Sequence, residues 1–339
     1  MTATAAPVGS RRPWRWFAAA LVAFAGASIV PNFRAIIPIE QTWFLVATVV
    51  AVCAIVGWVK GGRLALALIW IGIAAVMLTS FGGGPIGPYD WMARGWAVLL
   101  AASFGVVSVV IANETFFSRA LSALAISMAL GFGIVLVSRG GLDKVSTTME
   151  AELNRRVVES NAKLREATSQ PEWKAMFDQS PALQRLSEDS EAQLLSIPKW
   201  STMLVPALLA FESLAALALG WSLYHRMSEV AIGPALGKLR DFRFNDQLVW
   251  GVAVGASIFL LKAFADGKAA GLNLLVFFGF LYVLRGMGIL AWMTRGAALK
   301  AMLIVAAIVA WPLMAGLAFV IGLGDTWLDW RSRAQARPL

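Results

Sequence analysis

Two ionisable residues lie deep inside apolar runs. Glu212 sits within MLVPALLAFESLAALALGWSLY (203–224), and Arg285 within NLLVFFGFLYVLRGMGIL (273–290). A carboxyl group carried into hydrocarbon costs on the order of 2.5–3.5 kcal/mol, so Glu212 has to face protein, water or a partner. Arg285 stays charged at any ordinary pH and needs an anion beside it, either Glu212 or a bound ligand. Counted from Thr202 and Gly271 at about 1.5 Å per residue, the two lie about 15 and 21 Å into their runs. That offset is within the reach of the two side chains. A pair that pins two helices and a ligand-binding pair both satisfy this spacing. Asn273, in the same run as Arg285, adds an amide that needs an internal partner. Gly267, Gly271, Gly279, Gly286 and Gly288 either bring helices close together or leave room for a ligand.

Other chemistry is thinly represented. With one His and one Cys in the chain, most hydrolytic and metal-centred reactions lose their usual players. Cys53 cannot form an intrachain disulfide, and His225, at the end of an apolar run, reads as an interfacial polar cap. The stretch FGGGPIGPYDW (81–91) lacks the Gly-Lys-Ser/Thr of a phosphate loop and reads as a connection. No catalytic residue, metal site or cofactor is expected, and the chain reads as a non-enzyme. Its net charge of +9 does not signal nucleic acid, because no basic stripe with interleaved aromatics occurs.

The elements that must carry Glu212 and Arg285 follow from composition. Of 339 residues, 59% are hydrophobic and 14% charged, against about 25% charged in soluble domains. The apolar residues gather in nine runs: 16–30, 43–59, 64–81, 96–112, 120–137, 203–224, 248–264, 272–293 and 298–323. Most approach the roughly 17–25 residues that a helix needs to cross a bilayer, and none alternates as a barrel strand does. The fold class is therefore all-α, a polytopic transmembrane helical bundle of about nine spans in a lipid bilayer. Tryptophans such as Trp14, Trp43, Trp58, Trp200 and Trp221 stand near run ends, as in an aromatic belt. Basic residues in alternate connections, among them Arg11, Arg12, Lys60, Arg63, Lys238 and Arg240, outnumber those opposite. This places the N-terminus in the cytoplasm, with the first run a retained span rather than a cleaved signal.

A near-neutral insert, 139–199, interrupts the apolar pattern and divides the chain into a five-span block (1–138) and a four-span block (200–339) with a short basic tail. Met149, Leu153, Val157 and Leu164 share one helical face, and prolines at 171 and 181 open further helices. Three short amphipathic helices are expected, their charges forming a solvated face. At the other end, GLGDTWLDWRSR (322–333) puts Trp327 and Trp330 on one face and Asp325 and Asp329 on another, with Arg331 following. It reads as a short interfacial helix with Asp329 paired to Arg333 on the surface.

Three stretches then stand in a familiar order: FRFNDQLVWG (242–251), NLLVFFGFLYVLRGMGIL (273–290) and GLGDTWLDWRSR (322–333). Together with the insert ahead of them, they resemble the YybS-like family of bacterial membrane proteins of uncharacterised function. That family's fold is similar to the substrate-binding subunits of energy-coupling vitamin transporters. The resemblance implies small-molecule binding or transport; on the residues' own placement, the pocket is expected between spans six and eight at Glu212, Arg285 and Asn273, in a bacterial inner membrane. No ATPase motif occurs, so the energy would come from a partner membrane protein, an energising subunit or an ion gradient. The alternative is a non-enzymatic scaffold or assembly factor that recruits partners through 139–199.

Overall fold

The computed structural model describes residues 14–27, 29–80, 86–170, 180–294 and 296–335, and among these there is no strand. The helices are α1 (Trp14–Gly26), α2 (Pro31–Arg34), α3 (Thr42–Val59), α4 (Leu64–Ser80), α5 (Pro88–Val110), α6 (Phe116–Val137), α7 (Gly141–Thr168) and α8 (Pro181–Met227). There follow α9 (Val249–Leu260), α10 (Lys268–Met293), α11 (Ala297–Val309), α12 (Trp311–Leu328) and α13 (Trp330–Gln335), with short 3₁₀ turns around α9. Among the described residues, six helical stretches are long and apolar enough to cross a membrane, and Trp14–Gly26, Leu64–Ser80 and Asp246–Leu260 are shorter apolar ones. The fold is an all-α polytopic bundle.

Two expected elements are redrawn. The ninth apolar run is two helices, α11 and α12, because Pro312 lies in the first turn of α12 and has no N–H to continue the α11 ladder. The insert is not three short helices. Its first part is the single 28-residue α7, and its last part is continuous with the sixth span in the 47-residue α8, opened by Pro181. The helix expected to open at Pro171 falls on residues 171–179, outside the described residues.

The described helices form two compact units, the first running up to Thr202 and including Glu212–Leu236, the second made of Met203–Phe211 and the chain from Gly237 onward. In the first unit α3 is the buried centre: Leu45, Val49 and Val50 have no exposed surface, and α4 and α5 pack against it. A Cβ at Gly220 would lie 2.5 Å from Val49 Cγ1, so α8 can press on α3 only through glycine. Helix α5 starts where Pro88 sets the first turn and Asp90 accepts the Gly87 N–H at 2.9 Å. Helix α7 lies against α2, α5 and α6. Met149, Leu153 and Val157, four residues apart, are its buried face.

In the second unit α10 is central, packed by α9 and α12. At the α10–α12 crossing a Cβ on Gly286 would strike the Ala318 backbone, and one on Gly322 the Tyr282 carbonyl. These glycines therefore serve close helix approach. Phe211 stacks on Phe277 with ring centroids 5.5 Å apart, and it meets Phe280 at 4.3 Å.

Candidate functional site

Between α2 and α3 the chain runs through residues 35–41 without helix, and Ala35 and Ile39 are buried there. Pro38 brings no N–H and ends any helical continuation. Backbone groups so exposed to an apolar surrounding need partners, and side chains from three other helices supply them. Glu212 of α8 accepts the Ile39 N–H on Oε2 at 3.0 Å. The Tyr89 hydroxyl of α5 accepts the Glu40 N–H at 3.0 Å and donates to the Pro38 carbonyl at 3.1 Å. Arg156 of α7 donates through Nη1 to the Ile37 carbonyl at 2.7 Å and the Arg34 carbonyl at 3.4 Å. Glu212 is there because a break in helical structure has to be held.

Most charges of α7, such as Lys144, Arg155 and Lys163, are exposed as expected, but Arg156 is not. Its side chain has no exposed surface, its guanidinium lies 4.8 Å from the centre of the Tyr89 ring, and its Nε donates to Glu152 Oε1 at 2.8 Å. Around it Arg34 joins Glu40 and Glu159, while Arg155 joins Glu152 and Glu159. Burial pushes the Glu152 carboxyl up, but hydrogen bonds from Arg155 and Arg156 outweigh it and hold the group below the usual carboxylate range. Glu159 is held at about 2, by Arg34 first and then Lys163. Beside this network opens a cleft of about 520 Å³. Its walls are Gln41 at the end of the irregular segment, Gly87–Asp90 at the start of α5, and Thr147, Thr148, Ala151, Glu152 and Arg155 of α7. Gln41 Oε1 is buried with no hydrogen-bond partner among the described residues.

The second charged cluster is built on Arg285. The guanidinium is fully buried; its Nε donates to Asp325 Oδ2 at 2.9 Å, with Nη2 also 2.9 Å from that oxygen as an ion-pair contact, and its Nη1 donates to Asp246 at 2.6 Å. Phe244 faces it, its ring centre 5.3 Å away. Asp325 is also fully buried and takes Arg331 Nη2 at 3.4 Å. Arg331 in turn donates to the carbonyls of Arg240 and Phe242 at 3.0 and 3.1 Å. The three stretches singled out by resemblance each contribute here: Asp246 and Phe244 from the first, Arg285 from the second, Asp325 and Arg331 from the third.

The expected pairing of Glu212 with Arg285 is thus replaced by separate partners, a backbone N–H for the one and two aspartates for the other. Asp329 differs as well. It takes a left-handed conformation (φ 38°) that ends α12, and its exposed carboxylate pairs with Arg243 at 2.7 Å rather than with Arg333. Asn273 finds an internal partner just past Pro206 of α8: its Nδ2 donates to the Met203 carbonyl at 2.8 Å and its Oδ1 accepts the Ala207 N–H at 2.9 Å. The amide serves both ends of one helical rung. His225 contacts the Trp221 and Gly233 carbonyls, both at 2.9 Å.

The chain belongs to the family described as predicted membrane protein (DUF2232), whose model matches residues 35–326. The match begins at the first residue of the buried irregular segment and ends one residue after Asp325. No curated protein and no solved structure matches the chain.

Proposed function

We propose that this membrane protein is a transporter-like binding protein, not an enzyme, and that it takes a small polar solute in the cleft between residues 35–41 and the ends of α5 and α7. The single observation behind this reading is the irregular buried segment beside that cleft. Non-helical backbone in a membrane protein is tolerated where it is buried in protein or lines a cavity, and transporters use such breaks at their binding sites. The cleft volume of about 520 Å³ falls within the roughly 300–1,000 Å³ of small-molecule sites. Its free acceptor, Gln41 Oε1, together with Asp90 and the hydroxyls of Thr147 and Thr148, suits a solute rich in hydrogen-bond donors. This moves the pocket away from spans six and eight, because Glu212, Arg285 and Asn273 are occupied with backbone and aspartates. We place the protein in a bacterial cytoplasmic membrane, N-terminus inside, with energy from a partner subunit or an ion gradient. The scaffold alternative gains no support from α7, whose apolar residues Met149, Leu153 and Val157 are already buried.

The test is a thermal-shift screen of purified protein against amino acids, polyamines, polyols and sugars. At least one compound is expected to raise Tm, and the shift is expected to disappear in Ala151→Trp, which fills the cleft, and to weaken in Gln41→Leu. A screen with no stabilising compound, or a shift that survives Ala151→Trp, overturns the reading.

A further inference from the structure

Glu212 has a second oxygen that holding the Ile39 N–H does not use. The residue is 7% exposed, and its Oε1 is buried with no hydrogen-bond partner among the described residues. A carboxylate left with one backbone N–H and one bare oxygen in an apolar setting is strongly disfavoured, whereas a neutral acid sheds the charge that causes the difficulty. None of the charged groups on the surrounding elements hydrogen-bonds Glu212 among the described residues. Arg34, just before the irregular segment, pairs with Glu40 within it. From α5, the Tyr89 hydroxyl is engaged by the backbone of Pro38 and Glu40. From α7, Arg156 is within electrostatic reach of Glu212; its Nε holds Glu152, its Nη1 the Ile37 and Arg34 carbonyls, and its buried Nη2 makes no hydrogen bond to Glu212 or to any other described residue.

We propose that Glu212 is a proton-binding site. In this conformation it is a carboxylic acid, with Oε2 as the carbonyl oxygen that accepts the Ile39 N–H and Oε1 as the hydroxyl that carries the proton. Release transfers that proton to water and leaves a carboxylate, which needs additional donors or water on Oε1. Deprotonation is therefore tied to movement of residues 35–41, whose Ile39 N–H is its hydrogen-bond partner among the described residues. The proton site stands whether or not the adjacent cleft takes a solute; where it does, the proton becomes the coupling ion.

N,N′-dicyclohexylcarbodiimide adds to protonated carboxyls in apolar sites and leaves carboxylates in water largely untouched, so the wild-type protein can be tested directly. Detergent-purified protein is incubated with the reagent at neutral pH, and the adduct is mapped by peptide mass spectrometry. The expected result is an adduct on Glu212, with yield falling several-fold as pH is raised, and none at that position in Glu212→Gln. Infrared spectra provide a second measurement that needs no reagent access: a protonated-carboxyl C=O band is expected in wild type at neutral pH and absent in Glu212→Gln. Absence of that band in folded wild-type protein overturns the proposal, as does an adduct yield on Glu212 that does not change with pH. Neither readout involves solute binding, so failure here is distinct from failure of the cleft assignment.

Discussion

Asp325→Asn removes one charge from a cluster whose members are unequally buried, and that inequality sets the size of the effect. Asp325 and Arg285 both have fully buried side chains, and Oδ2 of Asp325 accepts from Arg285 Nε at 2.9 Å, has Arg285 Nη2 at the same distance as an ion-pair contact, and accepts from Arg331 at 3.4 Å. Removing one partner of a buried pair costs about 3–5 kcal/mol, because the remaining charge is left without compensation. Arg285 keeps Asp246 at 2.6 Å, but that carboxylate is 54% exposed and solvent-screened. The expected loss for Asp325→Asn is therefore at the lower end, about 3 kcal/mol. Asp246→Asn, which removes only the screened partner, should cost about 0–1 kcal/mol. Arg331 shares the same oxygen, so Asp325→Asn combined with Arg331→Gln should lose less than the two singles added together. Denaturant unfolding in a mild detergent, followed by tryptophan fluorescence, measures the four variants against wild type. Equal losses for Asp325→Asn and Asp246→Asn, or strict additivity in the cycle, would refute the argument that Asp325 is the buried hub.

Two further outcomes are expected. Asp329 sits at φ 38° in an exposed pair with Arg243, so Asp329→Gly should lie within about 0.5 kcal/mol of wild type, while Asp329→Ala should cost about 1 kcal/mol through the left-handed backbone; unfolding curves in which alanine is the better tolerated would contradict this. In the α7 network, Glu159 is drawn from its ordinary 4.5 down to about 2 and Glu152 is lowered as well, so their contribution is complete above about 4.5 and is lost as pH falls toward about 2. Pepsin cleavage within 141–168 should accelerate across that window and become less pH-dependent in Arg34→Gln; acceleration that begins well above pH 4.5 would rule out these carboxylates as its origin.

The helices were legible because apolar runs that long have few alternatives in a membrane, and α7 was legible in part because its apolar positions repeat at four residues. What sequence could not supply was the identity of partners. Counting depth along two apolar runs matches Arg285 to Glu212, but depth alone says nothing of which helices are neighbours. Pro312 is the sequence signal that a separate helix, α12, opens near residue 311 and carries Asp325 past the end of the apolar run. Glu212 could not have been solved by searching for a charge, since its partner is the backbone N–H of Ile39, which any residue type other than proline could provide. The usable sign was Pro38 between two apolar runs, which breaks the chain out of helix and leaves neighbouring amides to be satisfied by someone else's side chain. Arg155 and Arg156 show the same limit from another side. They are adjacent in sequence and about 100° apart on a helix, and identity alone does not say which one turns inward. The structure buries Arg156 completely and leaves the Arg155 side chain 55% exposed. One arginine therefore holds the irregular segment while its neighbour edges the cleft, and the division between framework and binding surface runs between two consecutive residues.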